Sequence, residues 1–476
     1  MSGLLGSAIS RREVLMSGAV AAAAATPVGA ALKDHAEAGG IGARIEQLRQ
    51  RYKLPAVGVA ATLNGSPVFT EAYGSASLPF AVSANTATLF HTGSVGKHVT
   101  AAGVLKLLER RALSVDEPVG KYVKSLPFDW GQRTIRSLLT HTSGIPDYEE
   151  GFDWDRPFTR DSFLKLSATR ASNFTPGTSW AYSNTGYVLL GFLIEDLSGK
   201  SYREFITTEV LKPAGLRDSQ VDEAEALISN RAEPYIVDDS GTRHATRMNS
   251  GVSGMPDGGI LMSTRDFAQW NHAIDSGPTL SNAGRRLMFT PVELQTGRSV
   301  PYGFGWRTEE LGPRRPFYWH AGSVPGFIAF TLKSPTTGLN ILILSNAGSS
   351  SLAQRHIGQE VAEALAPGST PYSLKPIADR DQSSTSAARA LLYRGKAEPD
   401  RGSFGPEMRA LIDGPIGLDA VPNLTSRGHP DSFELVQETR RLNGHVRRYR
   451  LRFGDRLEHL SFGYTPDRRI YWIGAI

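Results

Sequence analysis

Cysteine is absent from all 476 residues. That excludes disulfides, thiolate nucleophiles and cysteine metal sites, and it leaves the redox compartment open. Long apolar runs are missing too: no stretch approaches the roughly 20 consecutive apolar residues of a membrane-spanning helix. The eleven histidines fall into no His-Glu-x-x-His or comparable ligand spacing, so no metal and no cofactor is expected. Charge is modest, at 21% of residues with a formal net of +5. This does not in itself imply a nucleic-acid or membrane partner. No serine stands in Gly-x-Ser-x-Gly, which argues against a nucleophile elbow. Ser198-Gly199-Lys200-Ser201 imitates the tail of a phosphate loop, but Ile194 occupies the first glycine position and a helical pattern precedes it.

What is present begins with an unusual N-terminus. Ser10-Arg11-Arg12-Glu13-Val14-Leu15-Met16 precedes a weakly apolar stretch from Gly18 to Ala25, with Val28-Gly29-Ala30 as a cleavage site. Adjacent arginines before such a stretch read as a twin-arginine export signal over residues 1–30. A disordered alanine-rich tail is the alternative. With export, the mature chain begins near Ala31 and is periplasmic or secreted, without stable membrane insertion.

The remaining chain is long enough for two or three domains. A helix is predicted over Ile41 to Leu54, then strands Val57 to Leu63 and Val68 to Tyr73 around the hairpin signal Asn64-Gly65. Helices dominate from Ser94 to about Leu216, including Thr134 to Thr140, Thr185 to Leu197 and Tyr202 to Leu211. Asp147 to Arg160 reads as an exposed loop, a candidate lid over a cleft. Gly258 to Asp266 reads as a turn and a capped helix start. Strands return at Phe317 to His320, Gly326 to Leu332 and Leu339 to Leu344, and a helix from Ser351 to Leu365 follows.

This order predicts an α+β fold. An antiparallel sheet is completed by both ends of a domain over 31–368, flanked by helices and accompanied by a mostly helical subdomain. Pro367 to Ala387 is rich in Pro, Ser and Thr and reads as a linker, assigned to 369–383. A small α+β module over 384–476 follows, with short helices near Ala387 to Tyr393 and Pro406 to Ile412 ahead of four strands. In Arg448-Tyr449-Arg450-Leu451-Arg452-Phe453 one strand face is arginine. An anion site is one reading of that face, and a solvated outer sheet face is the expectation.

Ser94-Val95-Gly96-Lys97 carries the chemistry. If a helix starts at Ser94, Lys97 lies one turn on and on the same face. Its amine can then take the serine proton, provided its pKa is lowered. Ser162-Phe163-Leu164-Lys165 has the same spacing and reads as an ordinary charged helix start. Tyr182-Ser183-Asn184 precedes a helix and can aim tyrosine and asparagine into one cleft. The bland alternative is a helix cap beside a packing tyrosine. In His320-Ala321-Gly322-Ser323, Gly322 permits close approach to the backbone. The Ser323 and Ser94 N–H groups can form an oxyanion hole. His320 can donate to a carboxylate or assist proton transfer, or simply cap a strand edge.

In order, these three motifs resemble the penicillin-recognising serine hydrolases, in the branch with class C β-lactamases, D-alanyl-D-alanine carboxypeptidases, D-aminopeptidases and related esterases. The resemblance covers about residues 40 to 366. It is supported by Leu138-Leu139-Thr140-His141-Thr142-Ser143-Gly144-Ile145, Pro176-Gly177-Thr178, Gly258 to Thr264 and Gly322 to Phe327. It implies an acyl-enzyme on Ser94, with Lys97 sharing or relaying the proton and Tyr182 as general base. Asn184, His320, Gly322 and Ser323 would contact substrate. Class C β-lactamases carry Lys-Thr-Gly where this chain has His320-Ala321-Gly322, and histidine occurs in peptidase and esterase relatives. The expected substrate is therefore a small ester first, then a D-amino-acid peptide or amide, then a β-lactam. An acylating sensor without turnover is the reading from another class. The C-terminal module lies outside the resemblance; its order suggests a cystatin-like or NTF2-like unit.

Overall fold

The computed structural model describes residues 40–149, 152, 159–167, 170–238, 241, 243–246, 251, 253–277, 279–348 and 352–475. The export signal expected over residues 1–30 lies outside them, as does most of the loop from Asp147 to Arg160.

Helix α1 (Gly40–Arg51) leads into strands β1 (Ala56–Leu63) and β2 (Ser66–Ser77), followed by the short β3 (Val82–Ser83). The β1–β2 turn is Asn64-Gly65, whose φ values of 51° and 82° suit a two-residue hairpin of primed type. Helices α2 (Lys97–Glu109) and α3 (Asn184–Ser198) pack together in the helical subdomain. Every residue of α3 from Asn184 to Ile194 is buried, the pattern of a helix enclosed on all sides. Its C-terminus is closed by Gly199 at φ 70°, a left-handed cap that glycine adopts without penalty.

The chain then returns to the sheet through β4 (Arg307–Glu310), β5 (Pro316–Val324), β6 (Phe327–Ser334) and β7 (Leu339–Ser345). The result is a seven-stranded sheet of order β4-β5-β6-β7-β1-β2-β3. β1 lies antiparallel to β7, with Val59 opposite Ile343. The N-terminal hairpin and the late strands therefore close one sheet, as the sequence predicts. Strands β1, β6 and β7 are buried along their whole lengths, which marks a central layer covered on both faces. Helix α4 (Leu352–Leu365) packs on β6 and β7 and is tied to α1 by the Arg44–Glu360 ion pair at 3.2 Å. Helix Phe267–Asp275 packs on β1.

The stretch expected to be a linker is packed at its start, while most residues from Lys375 to Arg380 are exposed. Ser369 and Thr370 are fully buried, and Tyr372 meets the His459 ring edge-on at 5.1 Å. Helices α5 (Gln382–Leu392) and α6 (Pro406–Ile412) then precede the strands β8 (Ser432–Arg441), β9 (Gly444–Phe453), β10 (Arg456–Tyr464) and β11 (Ile470–Ala475). These strands form an antiparallel meander in sequence order. Its core of Leu392, Phe404, Tyr449, Leu451, Phe462 and Tyr464 is distinct from the main one, and Phe174 of the helical subdomain joins it.

The arginine face of β9 is not the solvated outer face that alternation suggests. Arg448 is 4% exposed, and its guanidinium donates to the Glu309 carboxylate of β4 and to the Glu310 carbonyl. Arg450 donates to Glu434 and to the Leu374 carbonyl. Period-two patterning reveals that two faces differ but not which protein surface meets the polar one. Glu309 also accepts from the Trp319 indole at 3.0 Å, so Arg448 reaches through Glu309 to the strand that carries His320 and Gly322. Removing one partner of a buried pair leaves the other charge uncompensated. Arg448→Ala is therefore expected to destabilise the protein by about 3–5 kcal/mol. Chemical denaturation measures this, and a loss below 1 kcal/mol would show the pair to be dispensable.

Candidate active site

Ser94 lies in a single 3-10 turn, Gly93–Gly96, that runs directly into α2 at Lys97. The helix thus starts where the Ser-x-x-Lys spacing requires, with a tighter first turn than an α-helix. Lys97 Nζ donates to Ser94 Oγ at 3.0 Å, to Asn184 Oδ1 at 2.6 Å and to the Asp257 carbonyl at 2.7 Å. The ammonium is completely buried, and burial pushes its pKa down to about 8 against the opposing pull of Asp257, Asp147 and Glu149. A lysine held there supplies appreciable free base near neutrality.

The Tyr182-x-Asn184 segment delivers both side chains to this point. Tyr182 precedes α3 and Asn184 begins it, and the Lys97 ammonium lies 5.0 Å from the centre of the Tyr182 ring. The Tyr182 hydroxyl is buried with no hydrogen bond of full geometry. Its pKa is raised well above the ordinary value by burial, and the neighbouring Ser94 is the main opposing influence. The phenol is therefore protonated at rest. Asn184 uses its amide oxygen on Lys97 and its amide nitrogen on Glu149 Oε1 at 2.8 Å, so it orients the lysine.

The third motif extends beyond its predicted strand end: β5 continues through His320 to Val324, and its last residues run beside the Ser94 turn. A Cβ at Gly322 would stand 2.0 Å from the Thr92 carbonyl and 3.1 Å from Ser94 N. Only glycine lets the strand approach this closely. The Ser323 backbone lies equally close, since a Cβ at Gly93 would be 2.8 Å from Ser323 N. The Ser94 and Ser323 amides are thus neighbours at the pocket, the arrangement an oxyanion hole needs.

His320 departs from expectation. Both ring nitrogens are occupied, Nε2 by the Tyr302 hydroxyl at 3.0 Å and Nδ1 by the Ala321 carbonyl at 2.7 Å. Burial lowers its pKa well below the ordinary range. The ring is neutral, with Nδ1–H donating and Nε2 accepting, and neither nitrogen is left for a substrate carboxylate. The second Ser-x-x-Lys copy is plainly structural: Ser162 Oγ donates to the Thr159 carbonyl, and Lys165 pairs with Asp161 on an exposed surface.

Sequence reasoning missed several residues at the site. His141, at φ 60°, accepts from Ser183 N at 3.2 Å and lies 4.3 Å from the Tyr182 ring, fixing that segment from below. Its position inside Leu138–Ile145 was the available signal. The loop start expected to be exposed turns inward instead. Asp147 accepts from Asn184 N at 2.9 Å, Tyr148 is buried, and its hydroxyl donates to Asp257 at 3.2 Å. Its acidic and aromatic composition is that of a pocket lining as much as of a loop. Ser94 opens on a cavity of about 370 Å³ whose lining includes His91, Tyr148, Glu149, Asn184, Asp257 and Ser323. No cluster of His, Asp and Glu suited to a metal occurs among the described residues.

Comparison with known proteins gives the same frame. Residues 41–366 match the Beta-lactamase family model. Penicillin-binding protein 4* of Bacillus subtilis is 28% identical over 321 residues, 63% of this chain and 70% of that protein. D-aminopeptidase of Brucella canis is 27% identical over 289 residues, 60% of this chain and 54% of its own length. The crystal structure of D-amino acid amidase from Ochrobactrum anthropi shares the fold, with a TM-score of 0.58 at 23% identity over 71% of this chain and 96% of that one. The chain belongs to the Beta-lactamase family and is a serine hydrolase.

Proposed function

We propose that the protein hydrolyses amides or short peptides whose acyl residue bears a free amine, through an acyl-enzyme on Ser94. The observation that carries the substrate class is the charge of the pocket. Among its described lining residues, the charged ones are the carboxylates Glu149 and Asp257. His91 is held neutral, its pKa pushed down to about 4 by burial. Lys97 is committed to Ser94, Asn184 and the Asp257 carbonyl, and Arg307 lies over the Trp180 and Trp319 rings. A substrate carboxylate, as in a β-lactam or a C-terminal D-alanine, would meet no free cation among the described lining residues. A substrate ammonium would offset the burial, and the repulsion from Asp147, that raise the pKa values of both Glu149 and Asp257.

This reorders the ranking made from sequence, which put esters first. The names of the D-aminopeptidase and D-amino acid amidase relatives support the D configuration. In the reaction, Ser94 Oγ attacks the carbonyl carbon while its proton passes to Lys97. The oxyanion faces the Ser94 and Ser323 amides, and the proton leaves with the departing amine. Water then cleaves the ester by the reverse relay.

D-alanine p-nitroanilide is expected to be cleaved with a kcat/KM at least tenfold above that of its N-acetyl counterpart and of the L-enantiomer, with nitrocefin a poor substrate. Steady-state kinetics on the four compounds decides the matter. If the N-acetyl compound is hydrolysed as fast, the carboxylates do not read an amine, and a neutral ester becomes the better reading.

A further inference from the structure

Beside the Ser94 pocket lies a larger groove that the chemistry above does not use. It has a volume of about 1040 Å³ and is shared between the hydrolase domain and the C-terminal module. One wall carries Tyr182, Trp180 and Leu294; the other carries Met408, Ile416 and Trp472. Glu149 lines both cavities, and Tyr182, whose hydroxyl neighbours Ser94, lines the groove. The groove therefore adjoins the Ser94 pocket at Glu149.

Its walls are fastened to each other. Ser179 Oγ donates to the Glu407 carbonyl of α6 at 2.8 Å. The buried Glu407 carboxylate accepts from Thr296 at 2.6 Å and pairs with Arg298. Phe174 inserts into the core of the C-terminal module. A gap between loosely docked units would show no such ties. This is a built channel, and its size reaches the upper end of pockets for drug-sized ligands.

We propose that the C-terminal module is the distal wall of the substrate site and binds the leaving-group side of an extended peptide of three or more residues with apolar side chains. This rests on the function proposed above. The amine-bearing residue occupies the small pocket by Ser94, and the chain beyond the scissile bond passes Tyr182 and Glu149 into the groove. Trp180, Leu294, Met408, Ile416 and Trp472 offer apolar surface for alternate side chains, while Arg170 and Asp419 add polar points along the lining. Binding energy from this remote part of the substrate can then be used at the reacting centre.

The test uses the full chain. Wild-type enzyme is expected to cleave D-Ala-Leu-Leu-Leu with a kcat/KM at least tenfold above D-Ala-Leu. Ala420, half-buried in the groove wall, is replaced by tryptophan to fill the channel. Ala420→Trp, at unchanged melting temperature, is expected to abolish that preference. Equal rates on both peptides in the wild type, or a preference that survives Ala420→Trp, would overturn the proposal. If neither peptide is cleaved, the function proposed above fails, and the groove is then read by calorimetry with D-Ala-Leu-Leu-Leu titrated into Ser94→Ala. Binding weakened at least tenfold by the added Ala420→Trp supports the groove. Undetectable binding, or equal affinity in both variants, refutes it.

Discussion

Ser94→Ala is expected to lower kcat/KM by at least about 10⁴-fold, because Ser94 carries the hydroxyl that Lys97 contacts and a lost nucleophile disables its whole catalytic unit. Lys97 donates to Ser94 Oγ at 3.0 Å, the serine opens on the pocket, and the Ser323 backbone lies against the same turn. The Tyr182 phenol is held protonated by burial and cannot attack in its place. Ser162, with the same Ser-x-x-Lys spacing, is exposed and hydrogen-bonded within its own helix start. Ser162→Ala is accordingly the control that leaves the rate unchanged. The fold should tolerate the Ser94 change, since the side chain is only partly buried and removal of one hydroxyl creates no appreciable cavity. Burst kinetics with p-nitrophenyl acetate and intact-mass detection of the acetylated protein give the readout. Turnover in Ser94→Ala would remove the serine from the reaction, while a wild-type burst without turnover would make the protein an acylating sensor.

Much of this geometry is legible in the sequence because it is local. Ser94 and Lys97 are one turn apart, Tyr182 and Asn184 flank a single residue, and Gly322 declares a close backbone approach by having no side chain. Likewise Asn64-Gly65 fixes the first hairpin, and alternating or wholly apolar runs mark β1, β6 and β7. What stayed hidden is tertiary. Nothing near Asp147 or Glu149 in sequence says that their carboxylates will meet Asn184, more than thirty residues later. His320 looked free to donate because Tyr302, which fills its Nε2, is brought in by a separate loop. Arg448 looked solvated because Glu309, its partner, is 139 positions away and belongs to another sheet. In each case a polar residue found its compensation across the fold, where periodicity carries no information.

The identity of the proton acceptor separates Lys97 from Tyr182, and pH distinguishes them. Burial pushes Lys97 down to about 8 and Tyr182 well above its ordinary value. Burial disfavours the charged form in both, but that form is the acid for lysine and the base for tyrosine. Only the lysine gains proton-accepting power near neutrality. A base must be deprotonated to act, so acylation should speed up about tenfold per pH unit below 8 and level off above it. A tyrosine base would place the rise above pH 10 instead. Lys97→Met is expected to lower the acylation rate by about 10²–10⁴-fold and to erase the rise near pH 8. Tyr182→Phe should also slow acylation, by about 10²-fold or more, through loss of the hydroxyl that neighbours Ser94. The rise near pH 8 should nevertheless survive it, because Lys97 still titrates there. Stopped-flow acylation by p-nitrophenyl acetate from pH 6 to 10 reads both quantities. The opposite pattern, with the rise kept in Lys97→Met and lost in Tyr182→Phe, would transfer the base role to the tyrosine. It would also mean that its phenolate forms despite burial, which only a proton-withdrawing contact made in the substrate complex could achieve.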